Sequence, residues 1–382
     1  MGDRAILFIT RKYPPSVGGM QKLSYELTTR IAKERRTHII SWGRDRWELL
    51  PLFVVWAFAW AAYVLLRDDI TLIHLSDPLL APLGFALRMI KQVPVVVNVH
   101  GLDITYPNPL YQAIIPACLR RLTQVICISL YACNECTKRG INRCKVIPPG
   151  INADEYATTL PAAERKNLLS SLGVRSPYSR ILLTTGRLVR RKGVTHFVQE
   201  ALPLLMAKRQ DWVYLIVGEG PERRKIEAAV HAGGLSQHVK LLGRVEEQAL
   251  RAVYALADVF VMPNIPVPGD PEGFGIVALE ARASGVPVVA SDLEGIREAV
   301  GGPEDGTLVQ PGDWSAFVDA INWWLDREET VTDRERRRER VRAEFDWSVI
   351  IPQYLTLFQE MEASECVPKL SGPGRPGRLR SG

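Results

Sequence analysis

Stretches that read as buried strands alternate with stretches that read as helices along this chain, and after one break the alternation starts again. The first series places strands at 5–10, 38–42, 70–75, 94–99, 125–129 and 145–147, with helical stretches at 22–34, 49–66, 78–90 and 110–122 between them. Pro148-Pro-Gly150 then interrupts the pattern, as such breaker clusters do. A short helix near 161–171 leads into a second series, with strands at 180–185, 213–217, 239–242 and 258–262 and helices at 194–207, 222–232 and 247–255. That rhythm signals an α/β chain with two doubly wound parallel sheets.

The expected organisation is therefore two Rossmann-like domains, 1–172 and 173–345, followed by an amphipathic terminal helix over 346–363 and a disordered basic tail over 364–382. Neither domain has Gly-x-Gly-x-x-Gly at its first strand-to-helix turn, which argues against a nicotinamide or flavin enzyme.

Charge is distributed unevenly. Residues 1–172 carry a net +8 and residues 173–382 a net −2. Arg11, Lys12, Lys22, Arg30, Lys33, Arg35 and Arg36 crowd the start. They point either to an anionic partner, such as a membrane surface, or to a solvated basic face. Each basic residue close to an anionic bilayer is worth about 1 kcal/mol, so a few suffice for reversible, salt-sensitive attachment. No RNA-binding signature accompanies them, and no nucleic-acid partner is expected. The run Asp333-Arg-Glu-Arg-Arg-Arg-Glu-Arg-Val-Arg342 reads as a solvated helix laced with ion pairs.

Five of the six cysteines lie between Cys118 and Cys144. Cys127, Cys133, Cys136 and Cys144 invite a metal site, but Cys127 sits in an apolar strand and the spacings do not repeat as paired knuckles. They read instead as reduced packing cysteines of a cytoplasmic protein, with no metal and no cofactor. The apolar run 49–66 has 18 residues, the lower limit for a bilayer span. It begins too far into the chain for a signal peptide. Arg67-Asp-Asp69 and a core-like strand follow at once, so it reads as a helix lying on the sheet.

The chemistry concentrates in Pro271-Glu-Gly-Phe-Gly-Ile-Val-Ala-Leu-Glu280, with a helix expected from 275 to 284 and Gly285 closing it. Glu272 precedes that helix and Glu280 lies inside it, among Ile276, Val277 and Leu279. An unpaired carboxylate on such a surface would cost several kcal/mol, whereas sugar or ribose hydroxyls can donate to it. The backbone N–H groups of Phe274, Gly275 and Ile276 open the helix, where anions are favoured. Carboxylates for hydroxyls beside amides for phosphate point to a nucleotide-sugar. The alternative is a solvated Glu272 and a Glu280 paired with Arg282 or Arg297. In Gly186-Arg-Leu-Val-Arg-Arg-Lys-Gly193, Arg187 and Lys192 can close on one diphosphate from different sides of a turn. His100 ends a strand at the carboxyl edge, where open α/β sheets bind ligands, and Gly18-Gly19 let a backbone come close to a ligand.

In this frame the E-x7-E pattern, with Glu-Gly-Phe-Gly and Ala-Ser-Gly-Val-Pro-Val-Val, resembles the family 4 retaining glycosyltransferases of GT-B fold, in which two such domains face each other across a cleft. The resemblance spans about residues 4–362. It implies that Gly186, Arg187 and Lys192 form the pyrophosphate clamp, that Gly18 and Gly19 approach the donor phosphates from the first domain, and that His100 lies against the transferred sugar. It further implies that Gly243, Arg244 and Val245 hold the nucleobase through backbone groups, that Glu272 orients the sugar, and that Glu280 orients the ribose. After the strand at 38–42 the family usually carries a longer insertion, where only a few residues remain here.

The expected activity is metal-independent, retaining transfer of a sugar from a nucleoside diphosphate donor to a lipid, lipid-linked or saccharide acceptor. Wording close to the phosphatidylinositol mannosyltransferase branch makes GDP-mannose the first donor and a UDP-sugar the second. The expected location is cytoplasmic, peripheral on the inner face of the plasma membrane. A sugar-nucleotide epimerase of the same fold and a membrane-anchored, non-catalytic binding subunit are the alternatives.

Overall fold

The structure is a computed structural model and describes residues 4–43, 47–158, 160–174 and 180–366. Its strands form two six-stranded sheets in which the pairings are parallel. The first sheet contains β1 (Ala5–Thr10), β2 (Thr37–Ser41), β3 (Ile70–Leu75), β4 (Val95–Val99), β5 (Gln124–Cys127) and β6 (Cys144–Val146). The second contains β7 (Arg180–Thr185), β8 (Trp212–Val217), β9 (Val239–Gly243), β10 (Val259–Met262), β11 (Val288–Ser291) and β12 (Gly306–Val309). β12 was not anticipated. It is a four-residue strand at the end of its sheet that opens with Gly and Thr, so it lacks the apolar run that marks a buried strand.

The spatial orders are β2-β1-β3-β4-β5-β6 and β12-β11-β10-β7-β8-β9. The chain thus reverses direction between β1 and β3 in the first sheet and between β7 and β10 in the second. Loops leaving strands on either side of such a reversal diverge and open a crevice at the carboxyl ends, which is where α/β sheets bind ligands.

Helices Leu50–Arg67, Ala81–Ile90 and Pro109–Leu119 cover one face of the first sheet. Phe53, Ala57, Ala61, Val64 and Leu65 turn the first of these toward the core. Its other face exposes Leu52, Val55, Trp56, Trp60, Tyr63 and Leu66. Helix Gly19–Glu34 and the terminal helix Trp347–Cys366 contribute to a second cluster, in which Ile350, Tyr354, Leu357 and Phe358 join Phe8, Leu72, Val96 and Ile126. The end of the chain therefore completes the core of its beginning. Residues 367–382 of the expected tail lie outside the described residues.

The two crossings between domains run side by side: Ile151 N–H donates to the Phe345 carbonyl at 2.8 Å, and Trp347 N–H to the Ile151 carbonyl at 3.2 Å. Ile151, Ala153, Tyr156 and Val174 already belong to the second domain's core, so that body begins ahead of the boundary expected at 172.

Candidate active site

The second sheet's reversal gathers the charged groups. After β7 the chain makes a tight turn at Arg190–Lys192 and passes Gly193, whose φ is 66°. A Cβ there would stand 1.8 Å from the Pro263 carbonyl oxygen, so only glycine lets this turn lie against the end of β10. Lys192 is buried, with Nζ 2.6 Å from Glu272 Oε2. Arg191 Nε lies 3.4 Å from the same oxygen, and its Nη1 3.3 Å from Asp270 Oδ1. Asn264 Nδ2 donates to Glu272 Oε2 at 3.2 Å, while Asn264 Oδ1 is buried with no partner among the described residues. Burial would push the Glu272 carboxyl up, but Lys192 and Arg191 outweigh it and hold the group below its ordinary value. It is a carboxylate at neutral pH.

Glu294 completes this cluster. It adopts a φ of 49°, a left-handed conformation uncommon outside glycine, and its carboxylate accepts a hydrogen bond from the Glu272 N–H. Burial pushes Glu294 up to about 7; the Glu272 N–H opposes the shift and the Glu272 charge adds to it.

Glu280 lies on helix Ile276–Ala283 and takes one tyrosine on each oxygen, Tyr156 Oη at 3.0 Å and Tyr254 Oη at 2.7 Å. Pairing with an arginine is not observed: Arg282 binds Asp305 at 2.7 Å and Arg297 binds Asp292 at 2.6 Å. Burial pushes Glu280 up against the opposing tyrosine hydrogen bonds. A carboxylate has about four lone-pair sites, so two remain for a ligand. Phe274 is buried against Phe345. The basic helix, observed at Val331–Phe345, is not solvated all round. Arg337 and Arg338 are buried and donate to the Gly285 and Ser284 carbonyls at 2.6 and 3.2 Å. They anchor the C-terminal end of the Glu280 helix, where cations are favoured.

The first domain meets this cluster through His100. Its Nε2 donates to the Ser76 carbonyl at 2.9 Å and its N–H to Asp103 at 3.0 Å. A Cβ on Gly273 would stand 1.9 Å from the His100 carbonyl oxygen, so the glycine after Glu272 is what lets the facing strand ends touch. Ser129 Oγ donates to the Gly273 carbonyl at 2.7 Å, and Leu130 N–H to Glu298 Oε1 at 2.8 Å. Gly18 precedes helix Gly19–Glu34, and the Cα of Gly19 faces open space. On that helix Lys22 Nζ reaches Glu247 of the second domain at 2.5 Å.

Gly186, Arg187, Lys192, Glu272 and Gly275 thus share one crevice edge, with His100 across the Gly273 contact. Gly243 ends β9, two strands away from β7, and Arg244 and Val245 follow it; the Gly243 carbonyl accepts the Gly218 N–H at 2.8 Å. Arg187 is exposed and makes no ion pair among the described residues. Sequence reasoning missed Arg191, Asn264, Glu294, Tyr156 and Tyr254. Asn264 follows β10 and Glu294 follows β11, positions that flag them once strand order is known. A shallow concavity of about 670 Å³ beside β12, lined by Gly301, Thr307 and Trp323, holds none of these groups.

The basic cluster of the first domain is largely engaged within the protein. Arg30 binds Glu26 at 3.0 Å and also Asn152, Arg35 binds Glu362 at 2.9 Å, and Arg36 binds Asp68 at 3.3 Å.

Residues 13–155 match the family model described as Glycosyltransferase Family 4, and residues 175–343 that of Glycosyl transferases group 1. A phosphatidyl-myo-inositol mannosyltransferase of Mycobacterium leprae is 30% identical over 304 residues, covering 78% of this chain and 76% of that protein. The chain belongs to the family 4 glycosyltransferases. Within this family, a 2-deoxystreptamine glucosyltransferase of Streptomyces kanamyceticus is also 30% identical, over 276 residues and 68% of each chain. The sucrose-phosphate synthase of Thermosynechococcus elongatus superposes with a TM-score of 0.75 at 25% identity, over 94% of this chain and 100% of that one. The two facing sheets are the GT-B fold of such a glycosyltransferase.

Proposed function

We propose that this glycosyltransferase moves a hexose with retention of configuration, without a divalent ion, from a nucleoside diphosphate donor held mainly by the second domain. The supporting observation is the convergence of Lys192, Arg191, Asn264 and Glu272 at the reversal of the second sheet, against the His100 loop. Arg187, Lys192 and the backbone opening helix Ile276–Ala283 stabilise the charge that grows on the leaving diphosphate. Glu272 orients the sugar hydroxyls, and His100 lies beside the sugar. Glu280, braced by its two tyrosines, takes the ribose. Gly18 and Gly19 close on the phosphates from the first domain, and Gly243, Arg244 and Val245 border the base.

GDP-mannose is the first donor, because the mycobacterial mannosyltransferase is similar over both domains; a UDP-sugar is second, since an equally similar relative is a glucosyltransferase. The acceptor binds mainly at the first domain and is a lipid, a lipid-linked sugar or a saccharide. The uncovered apolar face of helix Leu50–Arg67 supports peripheral attachment at the cytoplasmic face of a membrane. Five of the same helix's residues sit in the domain core, so spanning the bilayer would strip the first sheet. The test is to offer GDP-mannose and UDP-sugars with phosphatidylinositol vesicles or saccharides, with and without chelator, and to read the anomeric configuration of the product by NMR. Release of an isomerised nucleotide-sugar without acceptor consumption would make the protein an epimerase, and absence of turnover would leave a binding subunit. Sedimentation with vesicles tests the attachment.

A further inference from the structure

The far edge of the first sheet carries a cluster that sugar transfer does not use. β5 and β6 are adjacent strands joined through helix Leu130–Lys138. Their register sets Val125 opposite Cys144 and Cys127 opposite Val146, so Cys127 and Cys144 share one face of the sheet. On the connecting helix Cys133 and Cys136 are three residues apart and share one side. Three of the sulfurs converge, and the fourth, of Cys136, adjoins that of Cys127. Those of Cys127, Cys133 and Cys144 lie within 4.8 Å of one another, and those of Cys127 and Cys136 are 3.8 Å apart. All four are free thiols.

The 3.8 Å separation is far longer than a disulfide bond of about 2.05 Å. It matches the edge of a tetrahedron of sulfurs around one zinc, which for Zn–S of about 2.3 Å is about 3.8 Å. We propose that Cys127, Cys133, Cys136 and Cys144 form a tetrathiolate site for a single Zn²⁺ ion that fastens β6 and helix Leu130–Lys138 to the sheet. This proposal departs from the reading of these residues as packing cysteines without a metal. The spacings fail to look like paired knuckles because the ligands come from strand, helix and strand. Metal binding would displace the protons of the four thiols. The same helix begins with Ser129 and Leu130, which hold Gly273 and Glu298 of the second domain. The ion would therefore steady the first domain's side of the cleft while taking no part in transfer.

The test uses the full chain purified with reductant and without chelator. Elemental analysis should find about one zinc per chain, and the Cys133→Ser/Cys144→Ser variant, changed at two partly exposed positions, should lose it while keeping its circular dichroism. Metal-free protein titrated with Co²⁺ should develop the visible bands of a tetrahedral thiolate complex, and the variant should not. Reduced protein that binds neither Zn²⁺ nor Co²⁺, zinc retained by the double variant, disulfides among these cysteines in freshly purified protein, or the absorption of an iron–sulfur cluster would each overturn the proposal.

Discussion

The two sheets reverse direction at different strands, and they differ in what waits there. At the first reversal the polar groups satisfy one another: Arg11 pairs with Asp77 at 2.9 Å, and His100 is tied to Ser76 and Asp103. At the second, among the described residues, Arg187 stands exposed without an ion pair, Asn264 Oδ1 is buried without a partner, and two cations, Arg191 and Lys192, close on the Glu272 carboxylate. The polar groups named at the first edge have partners within the protein. The second leaves one buried acceptor, Asn264 Oδ1, without a donor and one exposed cation, Arg187, without a carboxylate among the described residues. The cores differ in the same sense. The first is closed by the apolar face of the terminal helix, the second by buried arginines around Asp305.

That difference is most sharply tested through Asp305. Asp305→Asn removes the charge that Arg282 and Arg340 approach to 2.7 and 2.5 Å. Breaking a buried pair of this kind costs about 3–5 kcal/mol. Tyr354→Phe in the first core loses one hydrogen bond, from Asn98 at 3.0 Å, and should cost about 1 kcal/mol. Urea unfolding of both variants gives the comparison, and equal losses would erase the contrast between the cores.

At the crevice, Lys192→Ala is expected to lower turnover by about two orders of magnitude or more while the protein stays folded. Because Lys192 touches Glu272, its effect should not add to that of Glu272→Gln; additive losses would mean that the two act separately. Taken singly, Glu272→Gln should depress kcat with little change in nucleoside diphosphate affinity, and Glu280→Gln should weaken nucleotide binding. Calorimetric titration with GDP and UDP decides, and the reverse pattern would exchange the two roles.

Much of this was legible in the sequence because strands of parallel sheets are apolar runs, so the rhythm shows even where the boundaries shift by a residue or two. Glu272 and Lys192 were each readable from their motifs, but their contact was not, since it depends on β10 lying beside β7 and strand order is not written along the chain. Tyr156 and Tyr254 reach Glu280 from 124 and 26 residues away and left no local sign. The charge run around Arg337 looked solvated because a run of charges does not show which side chains turn toward carbonyls. Cys127 and Cys144 come to one face of the sheet only through the register of β5 with β6.

The smallest expected effect concerns Glu294, beside the second reversal. In the folded chain it titrates at about 7, against an ordinary value of 4.5. Between those values the folded state holds more protons than the unfolded one, so the stability that Glu294 contributes is full below about pH 4.5 and is lost as the pH rises through about 7. Glu294→Gln has no proton to lose and can still accept from the Glu272 N–H. The variant should therefore gain on the wild type as the pH is raised from about 5 to about 8, by about 1 kcal/mol or less because the half-exposed group is screened by water. Urea midpoints of the two proteins across that range should converge or cross in this direction. Parallel curves would mean that Glu294 is charged throughout, and that the second crevice carries one more permanent negative charge than its hydrogen bonding accounts for.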